Sequence, residues 1–173
     1  MAKYRITNIK FSFYCNQKIR KFSTDPAIFS VYVKSKNLII KTEYGTFSLL
    51  AGNRNNVNCT GLDNAQKIKK AVIFFAKISN QKLHSFQKFK IDCLAIRIQL
   101  QPNLKKNFLE KTSSNFRPID TSRFPGLILK YRDNNIKISI SYFNRKGIAI
   151  LTGLKDLRNL DKVITLLKND FEF

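Results

Sequence analysis

Acidic side chains are scarce in this chain. Eleven Asp and Glu stand against 32 Lys and Arg, which leaves a formal net charge of +21 at pH 7. Asp63 and Asp156 are each placed to cap a helix rather than to form an acid–base pair. Histidine is nearly absent, and His84 is alone in a polar linker. There is no GxxxxGK, no glycine-rich phosphate loop and no metal-ligand spacing. These gaps weigh against an enzyme and against any cofactor. Cysteine occurs as Cys15, Cys59 and Cys93, an odd count without a CxxC pair. That argues against a disulfide scaffold or a zinc site and for a reducing, intracellular setting. No apolar run approaches the ~20 residues of a membrane-spanning helix. The longest, 71–76, suits a helix core, and the opening MAKYRITNIKF has no signal-peptide core.

Positive charge is plentiful, and it is spread along the chain rather than gathered in a tail. A polyanion is the partner such a surface fits; a membrane surface is the minor rival. Hydrophobic residues make up 43%, too many for a disordered basic tail and enough for a core. Phenylalanine is frequent at 15 while tryptophan is absent. Some Phe rings therefore build the core, and others are available as outward wedges or stacking platforms. The length of 173 residues allows one large domain or two small ones.

Within that length the sequence repeats. Cys59-Thr60-Gly61-Leu62 precedes a helix-like run ending near Ser79, and Leu151-Thr152-Gly153-Leu154 precedes another ending near Phe171. Thr60 and Thr152, Lys70 and Lys162, and Phe74 and Leu166 share one constant offset. Two copies of one unit predict a pseudo-two-fold architecture, with 1–82 as the first repeat and 83–173 as the second, together one domain. Duplex DNA also has a local two-fold axis.

Period-2 alternation predicts strands over 4–13, 29–34, 37–41, 46–50 and 56–60, then over 89–100, 124–130, 136–143 and 148–152. Asp63, with Gln66 three residues on, predicts the start of a long helix. Its Ile68, Ala71, Val72, Phe75 and Ile78 share one face. Asp156 predicts the cap of a second, with Leu157, Leu160, Val163, Ile164 and Leu167 on its apolar side. Residues 103–112 read as a short helix, 79–85 as the linker and 113–123 as a polar loop. Connections this short require antiparallel strands. One long helix per copy covers one face of the sheet and leaves the other bare.

At these residues the chain resembles the core domain of the TATA-box-binding protein family. Arg123-Phe124-Pro125-Gly126-Leu127-Ile128 is similar to the family's Phe-Pro-Gly-Leu-Ile strand opening. The 136–143 strand, its turn and the 148–153 strand with Leu-Thr-Gly resemble the hairpin that follows. Phe89-Lys90-Ile91 resembles the first strand of the second repeat, and Asn8-Ile9 that of the first. The resemblance spans the chain, strongest over 124–153 and weakest over 16–51. It implies an α+β, pseudo-two-fold saddle: a curved antiparallel sheet of about ten strands with helices on the convex face. The concave face sits on the minor groove of A·T-rich duplex DNA and bends it. Binders of this kind unstack base steps and gain contact area on the bent duplex, and A·T-rich pyrimidine–purine steps deform most readily.

Taken one position at a time, the resemblance implies Phe124 and Phe143 as the intercalating wedges of the second repeat. Phe29 and Leu50 are those of the first, with Leu50 standing where the family has Phe. It implies Asn8, Thr60 and Thr152 as minor-groove contacts, while Cys93 occupies the place that mirrors Asn8. The strand pleat adds Lys10, Asn58 and Ile150 to that face, beside Lys137, Ser139 and Ser141, which makes it more polar than the family's.

The partners implied are A·T-rich double-stranded DNA, a transcription factor B-like protein and the RNA polymerase machinery. The role implied is transcription initiation at promoters, in the nucleus or, for a viral member, in the viral factory or virion. The family docks transcription factor B through acidic residues before the second-repeat Phe. The segment here is Asp120-Thr121-Ser122-Arg123, with one acid. Residues 16–27 are also too few for a full first helix. These departures describe a divergent member from a large DNA virus or a parasite with an A·T-rich genome. No membrane and no small-molecule substrate are expected. Two alternatives stand beside this one. The first is an RNA- or single-strand-binding module that stacks bases on Phe and Tyr and holds phosphates with Lys. The second is an interaction protein that keeps the saddle fold without using its DNA face.

Overall fold

The computed structural model describes residues 4–50, 53–100, 116–119, 126–132 and 136–171. They divide into two compact units, Asn8–Asp92 and a second made of Met1–Thr7 with Cys93–Phe173. The division falls inside two long strands rather than in the 79–85 linker. The start of β1 (Tyr4–Cys15) belongs with the second unit and the start of β6 (Phe86–Gln99) with the first.

In the first unit β1 is followed by β2 (Ile28–Lys34), β3 (Asn37–Thr42), β4 (Gly45–Leu50), β5 (Asn53–Leu62) and α1 (Ala65–Ile78). The strand order is β2-β3-β4-β5-β1, and the four pairings along it are antiparallel. Alternation in β1 decides its faces: Ile9, Phe11, Phe13 and Cys15 are buried, and Asn8, Lys10, Ser12 and Tyr14 between them are not. The buried side meets α1 through Phe75, whose ring lies 4.8 Å from Phe47, 5.5 Å from Phe13 and 6.0 Å from Phe86. Such tilted and edge-on ring pairs add specific geometry to apolar burial. The N-cap of α1 is Asn64, whose side chain accepts from the Lys67 N–H at 2.9 Å. The expected cap, Asp63, instead pairs with the Lys67 ammonium at 2.8 Å. Residues 16–27 hold no helix, as their length required. Ile19 is fully buried, the Ser23 N–H donates to the Ile78 carbonyl at 2.7 Å, and Asp25 pairs with Lys77 at 2.7 Å.

In the second unit β6 is joined by β7 (Phe116–Ile119), β8 (Leu127–Arg132), β9 (Lys137–Phe143), β10 (Ile148–Leu154) and α2 (Leu160–Phe171), in the order β6-β10-β9-β8-β7. Its core takes Leu94, Ile96 and Ile98 from β6, Ile138, Ile140 and Tyr142 from β9, and Ala149 and Leu151 from β10. Leu160, Val163, Ile164 and Leu167 come from α2. β7 is a strand where a polar loop was expected. It is the outermost strand, where Pro118 removes no needed ladder bond. Asp156 caps a single 3-10 turn, Leu157–Asn159, by accepting the Arg158 N–H at 2.9 Å, and α2 begins after it. The short helix expected over 103–112 lies outside the described residues.

The strands of the two units repeat in register. Thr60 pairs with Thr46, and Thr152 with Ser139. Counting outward, Ser48 matches Ser141 and Leu50 matches Phe143. The architecture is α+β: antiparallel strands with the helical cover on one side of the sheet.

Candidate nucleic-acid interface

The strand residues that alternate with the core form a face in each unit that no described helix covers. In the first unit it carries Asn8, Lys10 and Ser12 of β1, Asn58 and Thr60 of β5, Thr46, Ser48 and Leu50 of β4, and Ile39 and Lys41 of β3. In the second it carries Ala95 and Arg97 of β6, Ile148, Ile150 and Thr152 of β10, Lys137, Ser139, Ser141 and Phe143 of β9, and Ile128 and Lys130 of β8. Every one of these side chains is half-buried or exposed, and none carries a carboxylate. The cations Lys10, Lys41, Arg97, Lys130 and Lys137 are thus unopposed on their own faces.

Three of the acids are engaged elsewhere. Asp25, Asp63 and Asp156 accept from Lys77, Lys67 and Arg158 at 2.7, 2.8 and 2.6 Å. Those hydrogen bonds hold all three carboxyls below the usual carboxylate range.

At the centre of each face a glycine follows the threonine and turns to positive φ, +93° at Gly61 and +100° at Gly153. The register shifts between Thr152 and Leu154, as it does opposite Gly61 between Ile9 and Phe11. Each shift is a β-bulge that frees one backbone N–H from the ladder. The Gly61 N–H donates to Asn8 Oδ1 at 2.8 Å, and the Gly153 N–H to Cys93 Sγ at 3.3 Å. Asn8 and Cys93 therefore hold equivalent places. Asn8 keeps its Nδ2 donors for an outside acceptor, whereas Cys93 offers only a weak S–H. Thr60 and Thr152 are both half-buried, and the Thr152 hydroxyl reaches the Ser139 carbonyl at 3.4 Å.

Leu50 is 50% exposed at the end of β4, and Phe143 is half-buried at the equivalent end of β9. Phe29 is 71% exposed on β2, at the register shift between Ile28 and Ser30, on the outermost strand of its sheet. Phe124 lies outside the described residues. Lys10, Asn58 and Ile150 all sit on the open faces. Arg97, Lys41 and Lys130 join them without having been singled out from the sequence. For Arg97 the signal was present: Leu94, Ile96 and Ile98 alternate as core, which turns residue 97 to the other side.

Burial pushes the Cys59 thiol up to about 12 and raises that of Cys15 as well. Among the described residues no three His, Cys, Asp or Glu cluster to hold a metal, and no helix is long and apolar enough to cross a membrane.

No protein-family model matches the chain, and no curated protein matches it in sequence. Among solved structures it is similar to one described as Methanococcus jannaschii TBP. That match covers 98% of this chain and 98% of the other, with a TM-score of 0.66 and 17% sequence identity. The strand order, the register-matched halves and this superposition agree that the chain has the TBP-like fold.

Proposed function

We propose that this chain binds A·T-rich duplex DNA through its open sheet faces, in the minor groove, and bends it as a transcription-initiation factor of the TATA-box-binding type. The observation that carries the proposal is the composition of those faces. Each has a threonine at its centre, an apolar side chain at the matching outer position, a serine between them, cations beside the threonine and no carboxylate.

The chemistry follows from what the groove presents. A·T pairs display only acceptors there, adenine N3 and thymine O2, while guanine adds an amino group. Hydroxyl donors at Thr60 and Thr152, with Nδ2 of Asn8, fit acceptors. Ile150 and Ile39 fill space that a guanine amino group would need. Leu50 and Phe143 are placed to enter base steps, and unstacking a step kinks the duplex toward the major groove. Lys10, Lys41, Lys130 and Lys137 supply charge for the flanking phosphates. Its promoter partners would be a transcription factor B-like protein and an RNA polymerase, in the nucleus or a viral factory.

The test is energy transfer between dyes on the two ends of a duplex, read for the native protein and for Phe143→Ala and Leu50→Ala. A·T-rich duplex should be bound in preference to G·C-rich duplex and to single strands, and it should bend. Phe143→Ala should reduce the bend more than Leu50→Ala, because the larger ring opens a step further. Preference for RNA or single strands, or binding without bending, would overturn the proposal.

A further inference from the structure

A hollow of about 230 Å³ lies on the second unit, lined by Tyr4, Arg5, Arg97 and Gln99. Arg97 stands on the open face of β6, paired across the ladder with Ile150. It is half-buried, and neither it nor Arg5 has an ion pair among the described residues. Gln99 is held in place: its Nε2 donates to the carbonyls of Gly147 at 3.1 Å and Lys146 at 3.3 Å. An anchored amide thus stands beside two guanidinium groups that pair with no carboxylate among the described residues.

We infer that Arg5 and Arg97 form a phosphate site, taking one or two backbone phosphodiesters of the bound nucleic acid. The guanidinium fork matches the paired oxygens of a phosphodiester, and it keeps its charge under all ordinary conditions. Arg97 lies on the same sheet face as Ile150 and Thr152, so a duplex in contact with those two brings its backbone past β6. At Arg97 the site is also one-sided. The ladder places Arg97 opposite Ile150 and Ser12 opposite Asn58, and Asn58 and Ile150 are equivalent in the two copies. At this position the first unit therefore offers a neutral hydroxyl where the second offers a cation, one charge more for the backbone over one half of the site.

The inference rests on the proposed function for the carrier of the phosphate, and the experiment separates the two. Affinity for an A·T-rich duplex and for a scrambled one is measured across a salt series for the native protein, Arg5→Gln, Arg97→Gln and the double variant. Each lost phosphate contact lowers the slope of log K against log salt by about 0.9. Both duplexes should weaken by the same factor, since a backbone contact carries no base information. Arg97→Lys, which keeps the charge and loses the fork, should keep the slope and part of the affinity. In parallel, inorganic phosphate is titrated into the native protein while the arginine side-chain N–H resonances are followed. Those of Arg5 and Arg97 should move together and saturate.

Unchanged slopes in both single variants, or a change in base preference instead, would overturn the phosphate site while duplex binding stands. Saturation by phosphate in a protein that binds no duplex would keep the site and remove the DNA function. Absence of both slope change and saturation would end the inference outright.

Discussion

Gly61 and Gly153 occupy the same place in the two copies, yet they are not equally replaceable. Both have a φ near +100°, where an L side chain is strained by about 1–2 kcal/mol. A Cβ on Gly61 would find its nearest neighbour, Gly45 Cα, at 3.8 Å, which is ordinary contact. A Cβ on Gly153 would lie 2.6 Å from the Lys137 carbonyl oxygen and 3.3 Å from Ile138 Cα, so the β9 backbone would have to move. Gly61→Ala should therefore cost about the strain alone, and Gly153→Ala clearly more. Urea unfolding midpoints of the two variants check this, and equal shifts would contradict the packing. The side chains that receive these glycine N–H groups have diverged as well. Asn8 makes a full hydrogen bond and Cys93 a soft one, so symmetry of backbone has outlasted symmetry of chemistry.

At the scale of elements, the start of α1 shows how close neighbours divide a task. Asn64 satisfies the Lys67 N–H, and Asp63 engages the Lys67 side chain in water. Asn64→Ala should remove about 1 kcal/mol of stability, the usual worth of an N-cap. Asp63→Ala should leave the melting temperature nearly unchanged, because an exposed ion pair contributes little. The reverse order would restore Asp63 as the cap. The sequence could not separate these two, since Asp and Asn are equally good caps one position apart.

Other elements were more legible. Strict alternation at Ile136, Ile138, Ile140 and Tyr142 was enough to place β9 and to turn Phe143 away from the core. β7 was hidden by Pro118, because a local rule against proline in strands does not know which strand ends the sheet. The open faces followed from the pleat, and with them Lys10, Asn58, Thr60, Ile150 and Thr152. The glycine N–H bonds to Asn8 and Cys93 were not legible, because they join residues 53 and 60 positions apart. The place of Phe29 was equally hidden, since it depends on a register shift in β2 that no sequence period reveals.

For the whole molecule the dominant quantity is charge. Net +21 on 173 residues keeps copies apart through mutual repulsion. Three of its carboxylates pair with helix and turn cations away from the sheet faces. Duplex binding would consume the net charge, because neutralised phosphates release their counterions and lower the effective charge of the bound protein.

That neutralisation bears on β2. As the outermost strand of its sheet it exposes one ladder edge, and Val31 and Val33 on it are 53% and 65% exposed on the side facing away from Lys41. An apolar edge of this kind is a template for strand-to-strand association, and nearby lysines such as Lys34 and Lys36 act as its guards. Colloidal behaviour should therefore depend on the polyanion-to-protein ratio. Light scattering should stay low for the protein alone, peak as heparin approaches charge equivalence, and fall again when heparin is in excess. Val33→Lys should flatten the peak. A clear solution through equivalence, or an unchanged peak in that variant, would show that the edge is harmless and that solubility does not hang on the lysines around it.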